Sequence, residues 1–134
     1  MSARHPKAVA WERRLKEIFD SIDSDLEERY GHQYNLHPSR PRRGTTSNPE
    51  SDGLFNIGAA FSAGFGSKHG PGYLVEIRMA TLDRVSAEEQ ERLEQEVVQM
   101  LRERLRQGFP DRKLTVSLDG HVFKIHGDLS LGRV

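Results

Sequence analysis

Arg40, Arg42 and Arg43 stand within four positions of one another and are followed by hydroxyls at Thr45, Thr46 and Ser47. A guanidinium presents a planar fork of N–H donors that grips a phosphate or carboxylate through two parallel hydrogen bonds, and neighbouring hydroxyls can complete the shell around such an anion. Arg40, Arg42, Arg43, Thr45 and Thr46 are therefore candidates for holding a small anionic ligand. They lie in residues 32–52, a Pro- and Arg-rich stretch in which neither a helical nor a strand period survives. Structureless connections beyond about 12–15 residues are uncommon in compact domains unless they bind something or are disordered. The stretch reads either as a recognition loop or as a mobile linker.

The glycine-rich run 64–72 is a second candidate, because exposed main-chain N–H groups can cradle an anion; Lys68 and His69 are its reactive side chains. It fails the phosphate-binding motifs. A P-loop needs Gly-Lys followed by Ser or Thr and then a helix, and a dinucleotide fingerprint needs Gly where His69 stands, again before a helix. Here the run feeds a strand, so its glycines read first as a hairpin loop. The six histidines do not assemble a metal set. His121 and His126 fall on opposite faces of a strand, with His121 closing the core face and His126 in solvent. His32 and His37 sit in the long stretch, and His5 precedes the first helix. His37, Asp52 and His69 could meet only if the long stretch folded over the glycine run. No metal or cofactor is expected. Zero cysteines exclude disulfides, thiolate zinc sites, iron–sulfur clusters and cysteine nucleophiles. Catalytic signatures such as Gly-x-Ser-x-Gly or His-Glu-x-x-His are missing. The acid pairs Glu27–Glu28 and Glu88–Glu89 are expected on solvated helix faces with ordinary titration.

The elements that position these residues are legible from periodicity. Trp11, Leu15, Ile18, Phe19, Ile22, Leu26 and Tyr30 recur at spacings of three and four, one buried stripe on a helix from Pro6 to Tyr30. Pro6 suits its first turn and Gly31 the left-handed position past its end. Ser86 and Glu89 form a capping box that opens a second helix. Its stripe is Leu93, Val97, Met100, Leu101 and Leu105, and it stops at Gly108 and Pro110 with Phe109 folding back onto the core. Between the helices the period becomes two. Phe55, Ile57, Ala59, Phe61, Ala63 and Phe65 give one strand a greasy face, and Tyr73, Val75, Ile77 and Met79 another, joined as an antiparallel hairpin. The outer face of the first strand, Asn56, Gly58, Ala60, Ser62 and Gly64, is built of small residues. A close approach by the arginine stretch, the tail 129–134, a second subunit or a flat ligand would fit there, which adds Asn56 and Ser62 to the candidate ligand contacts. Asp119-Gly120 predicts a two-residue turn, with Leu118 opposite His121, Val116 opposite Phe123 and Leu114 opposite Ile125.

The order is α-β-β-α-β-β in a single domain, 1–134. It predicts an α+β two-layer sandwich: a four-stranded, mainly antiparallel sheet with both helices on one face. The element order over about 72–118 resembles the ferredoxin-like architecture and, more loosely, the small cytoplasmic domain at the end of cation-efflux transporters. The likeness is one of architecture and implies no activity.

Composition bounds the rest. The chain has 134 residues, 20 Lys plus Arg against 20 Asp plus Glu, and 35% hydrophobic residues, which describes one soluble domain with a single core. No apolar run is long enough to span a membrane, and the N-terminus lacks the apolar middle of a signal peptide. A cytoplasmic protein without membrane attachment is expected. Balanced charge and an acidic second helix weigh against nucleic acid. The leading expectation is a non-enzymatic binding or protein-interaction domain, a homodimer, with a protein partner or a small anionic ligand. The alternative is a small-molecule enzyme sited between the long stretch, the glycine run and the open sheet face. Arg43 would hold the substrate's anion there, with His69 or His37 as acid and base.

Overall fold

The computed structural model describes residues 6–128. Its elements are α1 (Pro6–Tyr30), a short 3-10 turn (Pro49–Ser51), β1 (Phe55–Ser62), β2 (Gly72–Met79), α2 (Ala87–Gly108), β3 (Leu114–Asp119) and β4 (Val122–Gly127). The strands form one open sheet in the order β1-β2-β4-β3, with every neighbouring pair antiparallel. β2 and β3 therefore run parallel, joined across α2 with β4 inserted between them, which is a split β-α-β unit. The α+β two-layer sandwich is the observed architecture.

The core lies between the helices and one sheet face. The α1 stripe of Trp11, Leu15, Ile18, Phe19, Ile22 and Leu26 meets Leu93, Val97, Val98, Leu101 and Leu105 of α2 over Phe55, Ile57, Val75, Val116 and Ile125. Full burial of side chains of this size contributes roughly 1.5–3 kcal/mol each. Phe109 folds back beyond α2, its ring centroid 4.3 Å from that of Trp11. The capping box forms, with Ser86 Oγ accepting from the Glu89 N–H at 3.1 Å. At the end of α1, Gly31 does not adopt the left-handed conformation. It is needed because a Cβ there would stand 2.4 Å from the Glu27 carbonyl oxygen.

Two strand expectations are corrected. β1 ends at Ser62, so Phe65 leaves the greasy face and is 96% exposed; Gly64 takes φ +79° and turns the chain away. In the last hairpin Asp119 pairs with Val122, so the turn is Gly120-His121, and Val116 faces Ile125 rather than Phe123. A slip of two residues keeps every side chain on its expected face, which is why the core assignment survives it. His121 alone is lost from that face, to an exposed turn position. The longer β3 places the Asp119 carboxylate 2.7 Å from Lys124 Nζ on the sheet's other face.

Candidate functional site

The long stretch is an ordered strap along α1 and the start of β1. His37 N–H donates to the Ala80 carbonyl at 2.7 Å and Gly53 N–H to the Pro41 carbonyl at 2.9 Å. Asn35 N–H reaches Asp83 Oδ2 at 2.7 Å, and the Tyr34 hydroxyl bonds to Glu89 of α2. Arg40 points inward: its Nε and Nη2 donate to the Gly53 and Asp52 carbonyls, each at 3.0 Å, and Nη2 reaches the Phe55 carbonyl at 3.5 Å.

Beneath this strap lie the buried carboxylates Asp23, Glu27 and Asp52. Glu27 Oε1 accepts the Phe55 N–H at 2.9 Å, so the expectation of a solvated Glu27 is overturned; Glu89 likewise is engaged, by Ser86 and Tyr34. Burial alone would raise the Asp52 carboxyl, but the N–H and hydroxyl of Thr46, the Gly44 N–H and the Arg40 charge hold it below the usual range. Asp23 is different. Its Oδ2 has no hydrogen-bond partner. Burial, with the charges of Glu27, Asp20 and Asp52 adding to it against Arg40, pushes its carboxyl up to about 8. Arg42, Arg43 and Thr45 are exposed. The two arginines line a cleft of about 420 Å³ with His32, Leu36 and Leu54, over Glu27.

The glycine-rich run makes a separate structure at the far end of β1. It folds onto the open sheet face, where Lys124 is only 1% exposed. The Lys124 ammonium donates to Asp119 Oδ2 at 2.7 Å and to Ser67 Oγ and the Gly70 carbonyl at 2.8 Å each. Ser67 Oγ in turn donates to Asp119 at 2.6 Å. Hydrogen bonds from Lys124 and Ser67 hold the Asp119 carboxyl below its usual range. A buried ammonium with three acceptors is a clamp on the loop. The His69 ring stacks on His126 with centroids 4.5 Å apart. His126 Nε2 lies 2.9 Å from Ser117 Oγ, so His126 is a half-buried packing partner rather than a solvent-facing ring. Burial first, then the neighbouring His69 and Lys124 charges, lowers its pKa. Lys68 is exposed, and Ser62 Oγ accepts the Gly64 N–H at 3.2 Å.

The candidate residues thus fall into two groups. Arg40, Arg42, Arg43, Thr45 and Thr46 surround the Phe55 end of β1; Ser62, Lys68 and His69 surround the Ser62 end. At about 3.3 Å per residue, β1 holds the groups roughly 20 Å apart, with Asn56 on the open face near the first. His37 and Asp52 consequently cannot meet His69. Among the described residues no group of three or more His, Asp or Glu could hold a metal ion. The arginine strap does not cover the small-residue face of β1, and the tail 129–134 lies outside the described residues.

A third feature escaped sequence reasoning. β1 is an edge strand, and Leu54, which accepts the Ala80 N–H at 2.7 Å, fixes its hydrogen-bond parity. Alternate residues from Leu54 bond to β2, and the main-chain groups of Phe55, Ile57, Ala59 and Phe61 point outward; Ile57 is 0% exposed. Those of Phe55 are taken by Glu27 and Arg40. Those of Ile57, Ala59 and Phe61 carry no hydrogen bond to another described residue on the outer side, and of these Ala59 and Phe61 are the ones not fully buried. Beside them an open groove of about 320 Å³ runs between α1 and β1, lined by Leu15, Phe19, Gly58, Ala59, Phe61 and Tyr73, with Glu12 and Lys16 from α1. Phe61 is 61% exposed at its end. The available signal was the composition of β1, Phe-Asn-Ile-Gly-Ala-Ala-Phe-Ser, which lacks the charge, proline or bulge that usually protects an edge.

Together these features define a small α+β protein with one strapped and one open half of its edge strand. Residues 6–127 match the model of a family described as "Uncharacterised protein", and the chain belongs to that family. It is 38% identical over 117 residues to an "Uncharacterized protein" of Borreliella burgdorferi, an alignment that covers 87% of this chain and 91% of the relative. No solved structure matches it. Among the described residues no helix is long and apolar enough to cross a membrane.

Proposed function

We propose that the protein is a cytoplasmic, non-enzymatic interaction domain that accepts an extended polypeptide segment on the outer edge of β1. The observation that carries this is the pair of unbonded main-chain positions, Ala59 and Phe61, beside an apolar groove. Strand addition uses this combination: main-chain hydrogen bonds supply affinity and the flanking groove reads alternate side chains. Leu15, Phe19 and Tyr73 would receive apolar side chains. Peptides selected from a random displayed library test the reading through Ala59→Pro. The N–H that proline removes points away from β2, so the fold tolerates the change. At least a roughly tenfold loss of affinity, about 1.4 kcal/mol, is expected with an unchanged circular dichroism spectrum. Equal binding by both proteins overturns the proposal.

The cleft bearing Arg42 and Arg43 favours a second reading, capture of a small anion. Titration with inorganic phosphate and with acetate checks it: shifts of the Gly53 and Leu54 amide resonances, which line the cleft, are expected in the wild type and should vanish in the Arg42→Ala, Arg43→Ala double variant. Lys68 and His69, at the other end of β1, would contribute nothing to that cleft.

A further inference from the structure

We propose that the segment received by β1 is β1 of a second copy of this chain, paired antiparallel about a two-fold axis through Ala60. This rests on the reading of β1 as a receiving edge and adds the occupant. Among the described residues, the outward main-chain groups that carry no hydrogen bond and are not fully buried belong to Ala59 and Phe61, one on each side of Ala60. A two-fold through Ala60 sets Ala59 of each copy opposite Phe61 of the other. Each of these pairs exchanges both its N–H···O bonds, so one set of free groups satisfies the other.

Shape agrees with this register. Phe61 is 61% exposed on the helix side of the strand. Paired this way, it lies against the small Ala59 of the second copy and enters that copy's groove beside Leu15, Phe19 and Tyr73. A large residue faces a small one twice over, by symmetry. On the other face Ala60 meets Ala60, and Gly58 has open space where a Cβ would stand. β1 itself carries no charge, and its pairing with β2 runs without a bulge from Phe55 to Ser62. The strap limits the register. Sliding the pair toward Phe55 brings the second strand against groups already held by Glu27 and Arg40.

The chain contains no cysteine, so single cysteines report the register directly. Opposed residues in a non-hydrogen-bonded antiparallel pair have Cα atoms about 4.5 Å apart, within the range a disulfide spans. Ala60→Cys is expected to give a covalent dimer under mild oxidation. Gly58→Cys, on the same face but about 13 Å from its symmetry mate at ~3.3 Å per residue, should cross-link at least tenfold more slowly. Sedimentation of the full chain should show a dimer at micromolar concentration that Ala59→Pro converts to a monomer with an unchanged circular dichroism spectrum. A monomeric wild type, a dimer that persists in Ala59→Pro, or equal cross-linking at positions 58 and 60 overturns the inference. A monomeric wild type that binds library-selected peptides and loses them in Ala59→Pro overturns the second copy but keeps the receiving edge. A chain that neither dimerises nor binds peptide overturns both.

Discussion

Phe55 and Phe61 are the same residue type on the same strand and the same face, yet Phe55 is 0% exposed and Phe61 is 61% exposed. The difference comes from what flanks each end of β1. At Phe55 the strap closes over the edge, with Arg40 on the carbonyl, Glu27 on the N–H and Asp52 held by Thr46. At Phe61 the chain turns away through Gly64 onto the opposite face, where Lys124 clamps the glycine-rich loop. Burial along an edge strand is thus decided by the segments beyond it, and β1 is sealed at one end and available at the other.

Substitutions at the two ends should differ accordingly. Phe55→Ala opens a cavity under the strap and should cost about 3–5 kcal/mol in urea denaturation; a loss near 1 kcal/mol would mean that the strap collapses easily into the space. Arg40→Ala removes the donors to three carbonyls and a cation whose charge acts on Asp23 and Asp52, with an expected loss of about 2–3 kcal/mol. Arg42→Ala and Arg43→Ala, both exposed, should stay within about 0.5 kcal/mol of wild type. If all three arginine variants are equally stable, Arg40 does not hold the strap.

Asp23 gives the sealed end a pH signature. Its carboxyl sits at about 8 against an ordinary 3.8, so the folded chain keeps a proton that the unfolded chain has released. Stability should therefore fall as pH rises from about 4 to about 8 and level off beyond, by up to ~1.4 kcal/mol per pH unit for a group that titrates alone. The net change between pH 5.5 and 8 is expected at up to about 3 kcal/mol, and Asp23→Asn should flatten it; matching slopes in wild type and variant would place the charge elsewhere. The smallest stability effect belongs to the open end, where Phe61→Ala should cost less than about 1 kcal/mol at a concentration low enough to keep the chain monomeric.

The parts of this arrangement differ in how far the sequence reveals them. Trp11 through Leu26, the capping box at Ser86 and the alternation of 55–61 are local periodicities, and both helices and β1 follow from them. The last turn lies one residue, and its pairing register two residues, from the expected place because Asp119-Gly120 fits a tight turn as well as Gly120-His121 does, and the deciding contact, Asp119 with Lys124, comes from the sheet face that patterning leaves blank. Lys124 alternates correctly as an outward residue, and only the fold-back of 64–71 buries it. Glu27 and Asp23 share α1 with solvated acids and became buried through a strap that carries no period. The open groove required knowing that β1 lies at the sheet's edge, a property of strand order that no local pattern encodes.

The claim that β1 is sealed at Phe55 and receptive at Ala59 and Phe61 is tested most directly by amide hydrogen exchange, followed by NMR at two protein concentrations. Phe55 should be protected equally in both samples, through its bond to Glu27, whereas Ala59 and Phe61 should exchange quickly when dilute and at least about tenfold more slowly when concentrated, once pairing is populated. Protection of Ala59 and Phe61 that is already complete in the dilute sample, or fast exchange at Phe55, would contradict the account.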